Sequence, residues 1–238
     1  MVTAETTTTK DYKHYRDRFK GSRLFVCGNA PSVAEQYPLL RDEFTFAFNH
    51  FGLWNGMSFP PTFYGVGDWD CPSEWDNPYK GTGWNDIATS IGGQDRFYLR
   101  EKEDPEAEDW VWVPIWPKTF VGGLMFTADF QQEPPFGAGA STPVNLGVQM
   151  GAYMGFNPIY LLGVEFGSRD TAVWGDSEEG RRLLELKPHR PYNPSFLDGV
   201  NDAFYHLQAR DIELINCTPS GRLHATAVPY KDLGDVLA

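Results

Sequence analysis

Leu24-Phe25-Val26-Cys27-Gly28-Asn29-Ala30-Pro31-Ser32 is the stretch on which the fold turns. An apolar run stops at a glycine, a short polar turn follows, and Pro31 and Ser32 open a segment of helical character over residues 33–41. A strand that ends in a Gly turn and feeds a helix aims backbone N–H groups at the place where α/β proteins bind phosphate. Gly28, Asn29, Ala30 and Ser32 are therefore candidate nucleotide-binding residues. The turn is not the dinucleotide fingerprint, because no Gly-x-Gly-x-x-Gly follows. A tight strand-to-helix turn with no ligand is the alternative reading.

Outward from this turn, strands and helices alternate. Residues 44–49 alternate with period two and predict a second strand. Residues 62–67 predict a third, ending at Asp68-Trp69-Asp70, and residues 96–99 a fourth, with Pro- and Gly-rich loops between them. Residues 141–154 predict a helix capped by Ser141 or Thr142, with Pro143 in its first turn. The continuous apolar run of residues 159–164 reads as a buried parallel strand. Helices are expected at 178–186 and 196–209, a last strand at 212–216, and at most a short helix at 231–237. The alternation predicts an α/β, Rossmann-like fold: a mostly parallel sheet with helices on both faces. Residues 101–136 break the pattern, being acidic, then aromatic (Trp110, Trp112, Trp116), then Pro-rich. They are expected to form an irregular aromatic-rich insertion, either a lid or a loop packed by its own tryptophans. Residues 1–22 read as an N-terminal tail and basic helix, and 23–238 as one nucleotide-binding domain.

Composition narrows the function classes. A chain of 238 residues that is 41% hydrophobic can bury the core of one such domain. A net charge of −12 disfavours broad nucleic-acid binding. The Lys- and Arg-rich residues 10–23 are either a local basic patch or a solvated helix face. No apolar run reaches the roughly 18 residues a membrane span needs. Residues 1–10 are polar, lack the apolar core of a signal peptide and are expected to fray. Cys27, Cys71 and Cys217 lie far apart, with no Cys-x-x-Cys pair and no disulfide framework, so the cytoplasm is the expected setting.

In a doubly wound sheet, ligands sit outside the carboxyl ends of the strands. Asn29 follows the first strand, Asn49 and His50 the second, Asp68 and Asp70 the third, Glu165 the 159–164 strand, and Thr218 the last. Asp68 and Asp70, two apart, share one side of an extended segment. They suit Mg²⁺ bound together with substrate phosphates, or else a loop-start cap. The small-residue run 137–142 leads into a helix, so Ser141 and Thr142 are candidates to meet a phosphate or carboxylate, or are ordinary caps. In the Pro-rich loop 187–194, His189 is a candidate general base, with Arg190 and Tyr192 as substrate contacts. Most loop histidines do no chemistry, and His206, mid-helix, reads as structural. Glu165 is a base or a cap for Gly163-Val164. No Gly-x-Ser-x-Gly, His-Glu-x-x-His or Walker loop is present.

In order, these pieces resemble a superfamily with two branches. One comprises bacterial lipooligosaccharide sialyltransferases; the other, archaeal 6-hydroxymethylpterin diphosphokinases and flagellin-glycosylation motility accessory factors. The shared opening, Gly-Asn-Gly-Pro-Ser-Leu after a strand, is matched by Gly28-Asn29-Ala30-Pro31-Ser32-Val33. The Cys-Asn-Gln-Phe of the sialyltransferases is similar to Phe48-Asn49-His50-Phe51. Their later Gly-Tyr-x-x-Ile-Tyr-Leu-x-Gly-Ile-Asp-Phe resembles Gly155-Phe156-Asn157-Pro158-Ile159-Tyr160-Leu161-Leu162-Gly163-Val164-Glu165-Phe166. The diphosphokinase-like close, Asn-x-Thr-Pro-x-Gly-x-Leu, resembles residues 216–223.

The resemblance implies a nucleotide-binding α/β fold with Asn29, Asn49 and Ser141 or Thr142 around a CMP moiety. Two departures follow from it. The sialyltransferase base, second His of His-Tyr-x-x-His, falls on Asn193, leaving His189 as the substitute. The acidic pair, absent from the sialyltransferases, matches the diphosphokinase Asp-Leu-Asp-Gly at Asp68-Trp69-Asp70-Cys71 and implies Mg²⁺.

Three functions stay open. The first is a glycosyltransferase-like enzyme moving a sugar from a nucleotide-activated donor to a glycan, protein or modified-base acceptor. The second is a Mg²⁺-dependent diphosphokinase that uses ATP on a hydroxymethyl group. The third is a non-catalytic nucleotide-binding protein. A homo-oligomer is compatible with each.

Overall fold

The computed structural model describes residues 11–67, 84–100, 110–115, 119–121, 124–126, 133–136, 142–167, 172–186 and 195–238. Seven parallel strands form the main sheet: β1 (Leu24–Cys27), β2 (Phe44–Phe48), β3 (Phe63–Val66), β4 (Asp95–Arg100), β5 (Val111–Pro114), β8 (Ile159–Leu162) and β9 (Leu214–Asn216). A separate antiparallel pair joins β6 (Thr119–Val121) to β7 (Leu124–Phe126). The main order is β5-β4-β3-β2-β1-β8-β9, which fulfils the expected Rossmann-like architecture. β1 lies in register between β2 and β8, with Leu24 opposite Phe44 and Ile159, and Cys27 opposite Ala47 and Leu162.

The central strands are apolar throughout because both faces of the sheet are covered. Side chains alternate between two cores. Leu24, Val26, Phe46, Phe48, Ile159 and Leu161 enter one, beneath α3 (Pro143–Tyr153) and α5 (Ser195–Gln208). Phe25, Cys27, Ala47, Tyr160 and Leu162 enter the other, with α1 (Val33–Gln36), the 3-10 turns Tyr37–Leu40 and Val173–Asp176, α4 (Glu178–Leu186) and α6 (Leu233–Leu237). α2 (Trp84–Ile91) supplies Ile87 and Ala88 to a third cluster beside β3 and β4.

α3 lies close on the sheet because Gly147 and Gly151 face it one turn apart. A Cβ at Gly147 would stand 2.6 Å from the Phe48 ring, and one at Gly151 2.6 Å from Leu24 Cδ2. This contact brings the start of α3 to the carboxyl end of β3, where a Cβ at Gly67 would lie 3.0 Å from Leu146 Cδ1.

Three regions are more ordered than the sequence pattern indicates. Residues 84–91, in a stretch read as loop, form α2. Within residues 101–136, Val111–Pro114 is an edge strand paired with β4, alternating buried and half-buried residues. Its Trp110 neighbour is core, 6.0 Å from the Tyr64 ring and 5.9 Å from Tyr98, and so is not available to stack on a sugar. Residues 11–22, read as a basic helix, instead hold one 3-10 turn, Tyr12–Tyr15, and are bonded to the body of the fold. The Asp17 and Phe19 amides donate to the Tyr153 and Met154 carbonyls (3.0 and 2.9 Å), and Tyr15 is buried against Phe97. The cations of this basic run are largely paired: Arg16 with Glu133, Lys20 with Asp17 and Arg23 with Glu43.

No helix among the described residues is long and apolar enough to cross a membrane.

Candidate functional site

The chain leaves β1 toward β2 on one flank and later returns to β8 on the other. The carboxyl ends of β1 and β8 therefore border the switch-point crevice, where open α/β sheets bind ligands. Two glycines meet there. A Cβ on Gly28 would lie 2.2 Å from the Gly163 carbonyl oxygen; one on Gly163 would lie 2.8 Å from Val33 Cβ. Gly163 also adopts φ +61°, a conformation that costs other residues a clash with their own Cβ. The Gly28 N–H donates to the Leu162 carbonyl (2.7 Å) and the Ala30 N–H to the Gly163 carbonyl (3.0 Å). These bonds extend the β1–β8 ladder into the turn and hold the predicted binding residues Gly28 to Ser32 at the crevice.

Asn29 Oδ1 and Ser32 Oγ are shielded from solvent and have no hydrogen-bond partner among the described residues. A buried polar atom left unpaired costs about 1–3 kcal/mol, which makes these two oxygens candidate contacts for a polar ligand. α1 is too short to add a helix-end field. The Ser32 N–H instead donates to Glu165 Oε1 (3.3 Å). The Glu165 carbonyl accepts from the Arg222 N–H (2.8 Å). Glu165 thus caps the segment after Ser32 and ties the β8 loop to both neighbours; its expected cap role is met at a different amide from that of Gly163-Val164.

Asn49 ends β2 with φ +50°, a conformation Asn tolerates better than most side chains. Its Oδ1 accepts from the Gly67 N–H (3.0 Å), and its carbonyl accepts from the Tyr64 hydroxyl. It therefore fastens the carboxyl ends of β2 and β3. Thr142 is the cap of α3, its Oγ1 accepting from the Asn145 N–H (3.2 Å). Thr218 is fully buried. Its hydroxyl accepts from the Val164 N–H (3.1 Å) and donates to the Leu161 carbonyl (3.4 Å), joining β8 to the loop after β9. It braces the floor of the crevice; its hydroxyl does not face the opening. Cys27 and Cys217 are free and buried, and burial pushes both thiols up, Cys217 to about 12, so they are packing groups rather than nucleophiles.

Asp68, Asp70, Ser141, His189, Arg190, Tyr192 and Asn193 lie outside the described residues. Among the described residues, no three His, Cys, Asp or Glu side chains converge into a group that would hold a metal ion.

The site gains members that no local pattern announces. The Val173 N–H donates to the Asn29 carbonyl (2.8 Å), and the Trp174 ring lies 5.1 Å from that of His50, the residue after Asn49. His50 was visible as a strand-end residue, whereas Val173 and Trp174 are joined to it only by tertiary contact. Beside the β1 turn, a shallow concavity of about 410 Å³ is lined by Pro31, Ala34, Trp54, Val173, Arg181, Leu184 and their neighbours.

No protein-family model and no curated protein sequence matches the chain. Its fold is similar to that of solved sialyltransferases. The sialyltransferase CST-II in complex with a trisaccharide acceptor and CMP superposes with a TM-score of 0.52 at 13% identity, covering 89% of this chain and 87% of that one. CstII from Campylobacter jejuni with the substrate analogue CMP-3FNeuAc gives the same TM-score, identity and coverages. The same enzyme with cytidine-5′-monophosphate gives 0.52 and 13%, covering 88% and 85%. At these identities the likeness establishes a shared fold.

Proposed function

We propose that the chain is a glycosyltransferase-like enzyme whose β1–β8 crevice binds the nucleotide of an activated sugar donor. The observation that carries this reading is the pair of buried, unpartnered acceptors, Asn29 Oδ1 and Ser32 Oγ, at a glycine-lined switch point. Supporting it, the chain shares its fold over most of its length with a sialyltransferase solved with CMP and with a trisaccharide acceptor. Asn29 and Ser32 would accept hydrogen bonds from ribose hydroxyls or base N–H groups. Within the turn the Gly28, Ala30 and Ser32 N–H groups are already bonded, so the Asn29 N–H would be the one to meet the phosphate.

The acceptor is proposed to be a glycan. Arg190 and Tyr192 would orient it, and His189 would remove the proton of the attacking hydroxyl in place of the base that falls on Asn193. Asp68 and Asp70 are proposed to hold Mg²⁺ if the donor carries a diphosphate.

A thermal-shift screen of CMP, UDP, GDP and ATP, each with and without Mg²⁺, tests the reading. A ligand that binds only the folded chain raises stability by about 2.7 kcal/mol at 100 times its Kd. Stabilisation by CMP or another nucleotide of a sugar donor is expected. Stabilisation by ATP with Mg²⁺ alone, or by none of the four, overturns it.

A further inference from the structure

The 3-10 turn Val173–Asp176 and the first turn of α4 form one tightly joined unit. The Ser177 hydroxyl donates to the Trp174 carbonyl (2.9 Å) and accepts from the Gly180 N–H (2.8 Å). Gly180 packs so closely on this unit that a Cβ there would stand 1.7 Å from the Trp174 carbonyl oxygen. From this base, two contacts reach the crevice. The buried Val173 N–H donates to the Asn29 carbonyl (2.8 Å), and the buried Trp174 ring packs 5.1 Å from the buried ring of His50. One contact lands on the turn after β1, the other on the residue after Asn49 at the end of β2. The two strand ends that carry the candidate nucleotide-binding asparagines are thus braced by a segment more than a hundred residues away in sequence.

We infer that Val173 and Trp174 are positioning residues that set the Asn29 and Asn49 turns before a nucleotide arrives. Holding a binding group in its bound geometry removes the ordering cost from the binding step, so the bracket acts on affinity without touching the ligand. The inference rests on the nucleotide reading above, and its test separates the two.

Val173→Pro isolates the bond to Asn29. Ala172 is already extended (φ −66°, ψ 144°), as the residue before a proline must be, and Val173 opens the 3-10 turn, a position where proline is tolerated. The variant removes the N–H and places ring carbon against the Asn29 carbonyl. Val173→Ala keeps the N–H and loses only packing. CMP titration and amide hydrogen exchange are measured on the parent and both variants. Val173→Pro is expected to weaken CMP binding roughly tenfold. It should also speed exchange at the amides of residues 28–32 and leave β9 and α5 as in the parent, while Val173→Ala stays close to parental in both readouts.

Equal losses in the two variants would reduce the bracket to packing and overturn the inference, as would unchanged exchange at residues 28–32 in Val173→Pro. If the parent binds UDP or GDP in place of CMP, that nucleotide is titrated instead; if it binds none of the three, the nucleotide reading fails and exchange alone decides the bracket. If Val173→Pro does not fold, Trp174→Leu against Trp174→Phe carries the test. The inference predicts that CMP affinity survives Phe, which keeps a ring against His50, and falls with Leu; equal affinity contradicts it.

Discussion

The two ends of the sheet are finished in opposite ways. At the amino end, rings close the core. Phe19 stacks on Phe156 (4.8 Å between centroids) and meets Phe44 and Phe63 edge-on at 5.2 and 5.4 Å. Phe44 and Phe63 are the first residues of β2 and β3. At the carboxyl end, backbone meets backbone through Gly28 and Gly163, and the side chains that follow carry unpaired oxygen atoms. The amino end buries apolar area, the main source of folding free energy. The carboxyl end instead has close backbone approach and two shielded, unpaired oxygen atoms, Asn29 Oδ1 and Ser32 Oγ. Under the proposed function, the same strands serve stability at one end and recognition at the other.

The largest effect expected from breaking this contrast comes at the carboxyl end. Gly28→Ala places a Cβ 2.2 Å from the Gly163 oxygen, and backbone on both sides must move. A loss of about 4 kcal/mol or more is expected in urea unfolding. A loss below about 1 kcal/mol would mean that the β1 and β8 ends are not locked together. At the amino end, Phe19→Ala should cost about 2 kcal/mol by removing a half-buried ring from among three others. It should also leave the affinity for CMP unchanged in the fraction that remains folded. A parallel loss of affinity would show that the two ends are coupled rather than distinct.

A smaller effect tests whether the floor of the crevice is packed as tightly as the amino end. Burial raises the Cys217 thiol to about 12, against an ordinary value near 8.5. A group whose folded pKa is raised contributes its full stability below the unfolded value and loses it as pH climbs toward the folded one. From about pH 9 to 11 the parent should therefore lose stability faster than Cys217→Ala, by on the order of 1 kcal/mol per pH unit. Parallel slopes would mean that the thiol reaches water.

Much of this contrast is legible in the chain. β1, β2 and β8 are apolar runs bounded by polar turns, and α3 starts at a Thr-Pro cap, so each declares itself locally. β5 does not, because an acidic run precedes it and Pro114 ends it, a residue that argues against a strand except at a sheet edge. α2 is only eight residues long and follows a Gly-rich segment, so its helical period has little length in which to show. The rule that ligands lie at strand ends singles out Asn29, Asn49, Glu165 and Thr218 as candidates. Their roles are set by partners distant in sequence: Glu165 by Ser32, Thr218 by Val164 and Leu161, and Asn49 by Gly67. The bond from Val173 to Asn29 has no local signature, because a backbone amide carries no residue identity.

The claim that the carboxyl end exists for recognition is tested most directly by isothermal titration of CMP into the parent and into Asn29→Ala, with thermal unfolding of both. Removing a buried, unpartnered carboxamide oxygen should leave stability unchanged or raise it, while CMP affinity falls roughly tenfold, the value of about one good hydrogen bond. Equal CMP affinity in the two proteins, or a variant that loses stability and keeps its affinity, would contradict the account.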